Sequence, residues 1–152
     1  MEKKTRLLCV LLALAGVCSI AAQEVQKFDI NVGDFTHLLV VDDVNVEYHC
    51  NADSTGRAVF YAHPDMANQI IFENNKKGKL SISVGTDSVF TDNIPTIVLY
   101  SAFLQSADNQ GDSTLHIRSV APAPQVNFKL IDNGKVIVDN VEATSVNVEI
   151  LT

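Results

Sequence analysis

The residues able to do chemistry are spread thinly along the chain. Asp42 and Asp43 with Glu47, and Asp108 with Asp112, are dense enough in carboxylates to suggest calcium. That ion takes about six to eight oxygens on a tightly turning loop, and the Asp-x-Asp-x-Asp-Gly spacing that supplies them is absent, so these read as solvated turn carboxylates. His37, His49, His63 and His116 share no short spacing, and a zinc site would have to be assembled from distant strands. Cys50 ends an alternating run without a His, Asn or Asp motif to activate its thiol, and reads as a small buried hydrophobe. Serine hydrolysis would show Gly-x-Ser-x-Gly on a strand, turn and helix, and that motif is missing. Glycoside hydrolysis needs only two suitably placed carboxylates; Asp112 and Asp132 are the pair that adjacent β-coils would bring together. Lys76, Lys77 and Lys79 form the one basic cluster, in a Gly-containing turn that reads as a solvated hairpin tip. No catalytic, cofactor-binding or metal-ligating residue is assigned, and no cofactor is expected.

The elements that must position such groups are set by composition and pattern. The chain has 152 residues, 47% apolar and 19% charged, which excludes a disordered or collagen-like chain. Met1 to Arg6 is a net basic start, and Leu7 to Val17 an apolar run too short to span a bilayer, which takes about 20 residues. Residues 1–22 therefore read as a signal peptide. Cleavage is expected after Ala21 or Ala22, and residues 23–152 form one domain. A lipoprotein anchor on Cys18 is the competing reading, opposed by Val17, which is larger than the Gly, Ala or Ser usual before a lipidated cysteine. Without residues 1–22 the balance is 8 Lys plus Arg against 17 Asp plus Glu, a net −9. So acidic a chain disfavours nucleic acid and anionic membrane surfaces, which need a basic face. Cys9 and Cys18 lie in the signal, leaving Cys50 alone; an exported chain without an internal disulfide must be held by burying apolar surface.

Period-2 alternation runs through the remainder. Strands are predicted at 28–32, 38–41, 44–50, 57–61, 70–72, 80–84, 94–100, 115–117, 126–130, 136–138 and 146–150, with one short helical turn at 65–69 and Pro95 limiting its segment to an edge or strand start. No segment sustains a 3.6-residue apolar period, so the fold class is all-β. Before Tyr100 the turn clusters resemble those joining antiparallel neighbours in a sandwich or meander. After it the unit shortens, and Gly111 and Gly134, 23 positions apart, suit the coils of a β-solenoid. Asn133-Gly134 is equally a type I′ hairpin signal between 128–130 and 136–138, and the residues alone leave coil and hairpin balanced.

Phe28-Asp-Ile30-Asn-Val32, the Val44–Cys50 strand, Lys79-Leu80-Ser-Ile82, Pro95 to Ser101 with Ala102-Phe-Leu-Gln, and Gly111-Asp-Ser-Thr-Leu together resemble the auto-transporter adhesin head GIN domain, a DUF2807-type domain of Bacteroidetes. The resemblance runs from about Phe28 to Thr152 and rests on a β-pattern with Gly and Asn turns. It implies an exported bacterial protein with a β-rich opening followed by right-handed β-helix coils, and no catalytic residues to transfer. The chain departs from the family in having fewer Gly-Ser-Gly-like turns and in stopping at Leu151-Thr152 directly after a strand, as a short or truncated member would. Such a last strand leaves an open edge for self-association.

The expected function is a non-catalytic, adhesin-like binding or structural module of the cell envelope, in the periplasm, on the outer-membrane surface or outside the cell. Its partner would be a glycan, a surface polymer or an envelope protein. The alternative is a carbohydrate-active enzyme with a carboxylate pair on adjacent coils.

Overall fold

Strict alternation gives each strand one apolar face, and the fold brings those faces onto a common core. The structure is a computed structural model and describes residues 24–85 and 94–151. The signal segment 1–22, with Cys9, Cys18 and both cleavage positions, lies outside the described residues, as does Thr152.

Twelve strands among the described residues form two six-stranded sheets. The first holds, in spatial order, β1 (Gln26–Asn31), β4 (Arg57–Ala62), β7 (Ile97–Ser101), β3 (Val46–Cys50), β9 (Thr114–Ile117) and β11 (Lys135–Val138). The second holds β12 (Val141–Leu151), β10 (Val120–Ile131), β8 (Ser106–Asn109), β2 (His37–Val40), β6 (Lys79–Val84) and β5 (Ile70–Asn74). One helical turn, α1 (Pro64–Ala67), starts on a proline whose missing N–H costs nothing there. No helix among the described residues is long and apolar enough to cross a membrane.

The fold is all-β, and the sheets are mixed. Among the described residues only β1/β4, β4/β7 and β5/β6 pair antiparallel; every other neighbouring pair runs parallel. The sandwich or meander of purely antiparallel strands therefore does not form. Nor does the Asn133-Gly134 hairpin. β10 and β11 lie in different sheets, with β11 parallel to β9 and β10 parallel to both β8 and β12. A type I′ turn needs two consecutive left-handed residues. Here only Asp132 is left-handed, at φ 66°, and the chain turns a corner between sheets instead of folding back.

Register shows how the corners align. Asn127 pairs with Ser106 and Lys135 with Thr114, each 21 positions apart, and Val126 pairs with Val146, 20 apart. Five residues separate Val40 from Val46, Asn109 from Leu115 and Leu130 from Val136, so three successive turns have equal length and lie one on another. Backbone contact is tight there. A Cβ on Gly134 would stand 2.1 Å from the Gly111 carbonyl oxygen, and one on Gly111 would stand 1.9 Å from that of Asp42. The Asp112 N–H donates to Asp43 Oδ1 at 3.0 Å and the Thr114 N–H to Asn45 Oδ1 at 2.9 Å.

Between the sheets, Phe35, Leu38, Val40, Val46, Tyr48, Phe60, Leu80, Ile82, Ile97, Leu99, Leu115 and Ile117 are fully buried. Each large apolar side chain so buried contributes roughly 1.5–3 kcal/mol, which is the stabilisation that the described residues, whose one cysteine is free, depend on. Phe28 stacks on Phe60 at 5.2 Å, and Phe35 meets the edge of Tyr48 at 6.3 Å.

Candidate functional site

Placement of the chemically capable side chains comes first. Asp42 is left-handed at φ 62°, and its Oδ2 accepts the Val84 N–H at 3.1 Å. Asp43 accepts the Asp112 N–H, and Asp112 Oδ1 accepts the Asn133 N–H at 3.4 Å. Glu47 points away from these, onto the outer face of the first sheet. Asp108 sits half-buried on β8, and Asp112 and Asp132 are exposed in stacked turns. Asp42, Asp43 and Asp112 act as acceptors for backbone N–H groups, the ordinary work of Asp in turns. Two of the four histidines stand alone and two share a network: His37 Nδ1 is 2.8 Å from Thr36 Oγ1 and exposed His63 precedes α1, whereas His49 pairs with Glu47 and His116 with Asp139 on neighbouring strands. Among the described residues no group of three His, Cys, Asp or Glu side chains is arranged to hold a metal ion. Cys50 is half-buried rather than buried, and its thiol donates weakly to the Ala102 carbonyl at 3.3 Å. Lys77 and Lys79 lie at the β5–β6 hairpin, where their N–H groups share Asn75 Oδ1.

One polar network crosses the outer face of the first sheet. Arg118 donates to Glu47 from Nε at 3.1 Å and Nη2 at 3.3 Å, and from Nη1 to Asp139 at 3.1 Å. His49 Nε2 lies 2.7 Å from Glu47, His116 Nε2 lies 2.9 Å from Asp139, and the His49 ring sits 5.5 Å from that of Tyr100. The Arg118 guanidinium holds the Glu47 carboxyl below its ordinary range; His116, then Arg118, does the same for Asp139. A glycosidase acid needs the opposite, a carboxyl raised so that it keeps its proton. This network is a brace between strands β3 and β9 and the turn after β11.

The surface offering room for a ligand lies elsewhere, where the second sheet's outer face meets the crossing from β7. A cavity of about 540 Å³ is lined by His37, Phe103, Leu104 and Gln105, by Ala121 to Gln125, and by Asn127. That volume falls within the usual range for small-molecule sites, about 300–1,000 Å³. Register builds it: His37 on β2, Ser106 on β8 and Asn127 on β10 stand side by side. Upstream of Asn127, β10 has β12 on one side and no pairing with β8 on the other, which is why Pro122 and Pro124 are tolerated in a strand. Their missing N–H groups leave this stretch of backbone with two fewer donors to satisfy. Phe103 is 60% exposed at the mouth. The amides run in a line: Gln125 Nε2 donates to Asn127 Oδ1 at 2.8 Å, Asn147 Nδ2 donates to the same oxygen at 3.0 Å, and Asn127 Nδ2 reaches the Gln105 carbonyl at 3.4 Å.

Sequence motifs point to His37 only as a metal ligand and to Phe103, Leu104 and Gln105 only within a family resemblance, and not to a groove, because these residues meet only through strand register. The Ala-Pro-Ala-Pro run at 121–124 and the aromatic Phe103 in a connecting segment were the available signals.

No protein-family model matches the sequence, and no curated protein matches it. Solved structures do share the fold. A chain from Parabacteroides merdae called a "putative adhesin" superposes with a TM-score of 0.64 at 11% identity, covering 80% of this chain and 52% of that one. One of the same description from Parabacteroides distasonis gives 0.64 at 15% identity, over 80% and 53%. A third, from Bacteroides fragilis, gives 0.59 at 15% identity, over 84% and 61%. This chain thus spans 52–61% of the length of the structures it resembles.

Proposed function

We propose that the chain is an exported, non-catalytic, adhesin-like binding module of the bacterial cell envelope, in the periplasm or on the cell surface. Residues 1–22 direct its export, and residues 23–152 form a GIN-like domain of right-handed β-helix coils. Support for the coils comes from strands β8 to β12, which alternate between the two sheets with partners 20 or 21 positions apart. Crossovers that join parallel strands are right-handed in nearly all proteins. Support for binding comes from the described adhesin neighbours and, above all, from one observation: the groove around Phe103 displays an aromatic side chain and a row of amides to solvent.

The test uses the full chain, exported and purified, on fluorescent beads passed over immobilised mucin, peptidoglycan and outer-membrane vesicles. Retention above that of beads carrying heat-denatured protein is expected. Equal retention, or turnover of fluorogenic glycosides by the same preparation, overturns this reading, and turnover moves the chain to the carbohydrate-active class.

A second reading has its own observation. Val146, Val148, Ile150 and Leu151 are all exposed on β12, which among the described residues has a strand neighbour on its β10 side alone. Self-association through this edge is chemically well matched. In an antiparallel pairing centred on Val148, the three alternate residues Val146, Val148 and Ile150 meet their counterparts, and Glu149 faces Asn147 of the second copy instead of another carboxylate.

A further inference from the structure

We infer that the Phe103 groove is a subsite for a neutral saccharide. The inference rests on the adhesin-like reading above and adds to it a ligand class and the residues that select it. Of the ten side chains lining the groove, none is Asp, Glu, Lys or Arg, in a chain of net charge −7. A charged ligand entering it would lose hydration without gaining a counter-charge, a cost that an uncharged ligand avoids. The shallow depression across Pro122–Pro124 carries Glu142, which adds a bias against anionic polymers.

What remains is an apolar surface with bifunctional polar groups beside it. Phe103, Pro122 and Pro124 present aromatic and aliphatic surface, and an aromatic face, negative at its centre, attracts the weakly positive C–H bonds of a pyranose ring. Gln105, Gln125 and Asn127 each carry a donor and an acceptor on one planar group, which suits hydroxyls that also do both. An apolar ligand would cover the Gln105 amide and Gln125 Oε1, which the bonds among Gln125, Asn127 and Asn147 leave open, and would strip them of water without replacing it. The amides are also pre-ordered. Asn127 is held by Gln125, Asn147 and the Gln105 backbone, so little rotamer freedom is lost on binding. Phe103 stands on an equally fixed base, since its carbonyl accepts from Ser101 Oγ at 3.1 Å.

Affinity electrophoresis of the full, exported chain provides the test, in native gels containing galactomannan, arabinoxylan, dextran or laminarin, with polygalacturonate as the anionic comparison. Retardation is expected in at least one neutral gel, weakened at least tenfold in Phe103→Ala and Gln125→Ala and retained in Phe103→Tyr. Unchanged urea midpoints would show that the variants remain folded, as expected for exposed side chains. No retardation in any neutral gel, equal or stronger retardation by polygalacturonate, or full retention in folded Phe103→Ala would each overturn the inference. Bead retention without any such sugar binding would leave the adhesin-like reading standing while removing this one; loss of both would remove both.

Discussion

The phenol oxygen of Tyr48 lies 2.9 Å from the hydroxyl of Ser101, beneath the segment that displays Phe103. Ser101 has a single proton, and its Oγ donates it to the Phe103 carbonyl, so Tyr48 is the donor between the two hydroxyls. A fully buried side chain on β3 thus fixes, through one intermediary on β7, the backbone of the residue at the groove mouth. Core packing and candidate ligand site are linked by two hydrogen bonds.

Burial pushes the Tyr48 phenol up to about 12, against an ordinary value near 10. The unfolded chain therefore releases this proton at lower pH than the folded one. The contribution is intact below pH ~10 and is lost as pH rises toward ~12, at a slope of up to about 1.4 kcal/mol per pH unit. Tyr48→Phe should cost about 1 kcal/mol at pH 7, the usual size of one hydrogen bond, and should lessen the alkaline slope. Urea denaturation of both proteins at pH 7, 9, 10 and 11 measures this. Identical pH slopes would mean that the phenol is not shielded from solvent.

Stacked turns make a second claim that glycine substitutions can check. Gly134→Ala would drive a methyl group to 2.1 Å from the Gly111 carbonyl oxygen and 2.7 Å from Asn109 Nδ2, where backbone must move. Gly78→Ala meets nothing closer than 3.5 Å and bears only the strain of φ +72°. Gly134→Ala should therefore cost about 3 kcal/mol or more, the upper range for overpacking, and Gly78→Ala about 1–2 kcal/mol. Equal shifts in the denaturation midpoint would contradict the close approach of successive turns.

How much of this was legible in the sequence varies by element. Alternating branched residues in β3, β6 and β9 announced strands that the structure contains. β8 is absent from the strands that the pattern predicts, because Ser106-Ala-Asp-Asn109 carries no large apolar residue. Its inward positions are Ala107 and Asn109, and Asn109 is buried because the turn needs it. Its Nδ2 donates to the Ser113 and Lys135 carbonyls at 2.8 and 3.2 Å, and its Oδ1 accepts from Ser113 Oγ and the Gly111 N–H. A polar side chain with that many partners belongs in a core, yet no local pattern says so. The first half of β10 was hidden by Pro122 and Pro124, which exclude a central strand but not a stretch lacking one neighbour. The groove was invisible for a related reason: its residues come from three separate stretches of chain that register alone assembles.

Strand β12 supplies the last prediction. Val148 is 65% exposed and Ile150 60%, and the charge between them, Glu149, is paired: Lys129 Nζ lies 3.2 Å from its Oε2. A strand edge that has no neighbour among the described residues and carries apolar side chains is a template for another chain unless a charge blocks it. Val148→Lys places an ammonium at the centre of the antiparallel self-pairing, opposite its own copy. Sedimentation velocity over a concentration series should show reversible dimerisation of the unaltered chain, abolished in Val148→Lys. Thermal stability of the variant should change little, since surface substitutions fall within about 0.5 kcal/mol. A concentration-independent monomer in the unaltered chain would remove the self-contact altogether, and a dimer that survives Val148→Lys would move it away from β12.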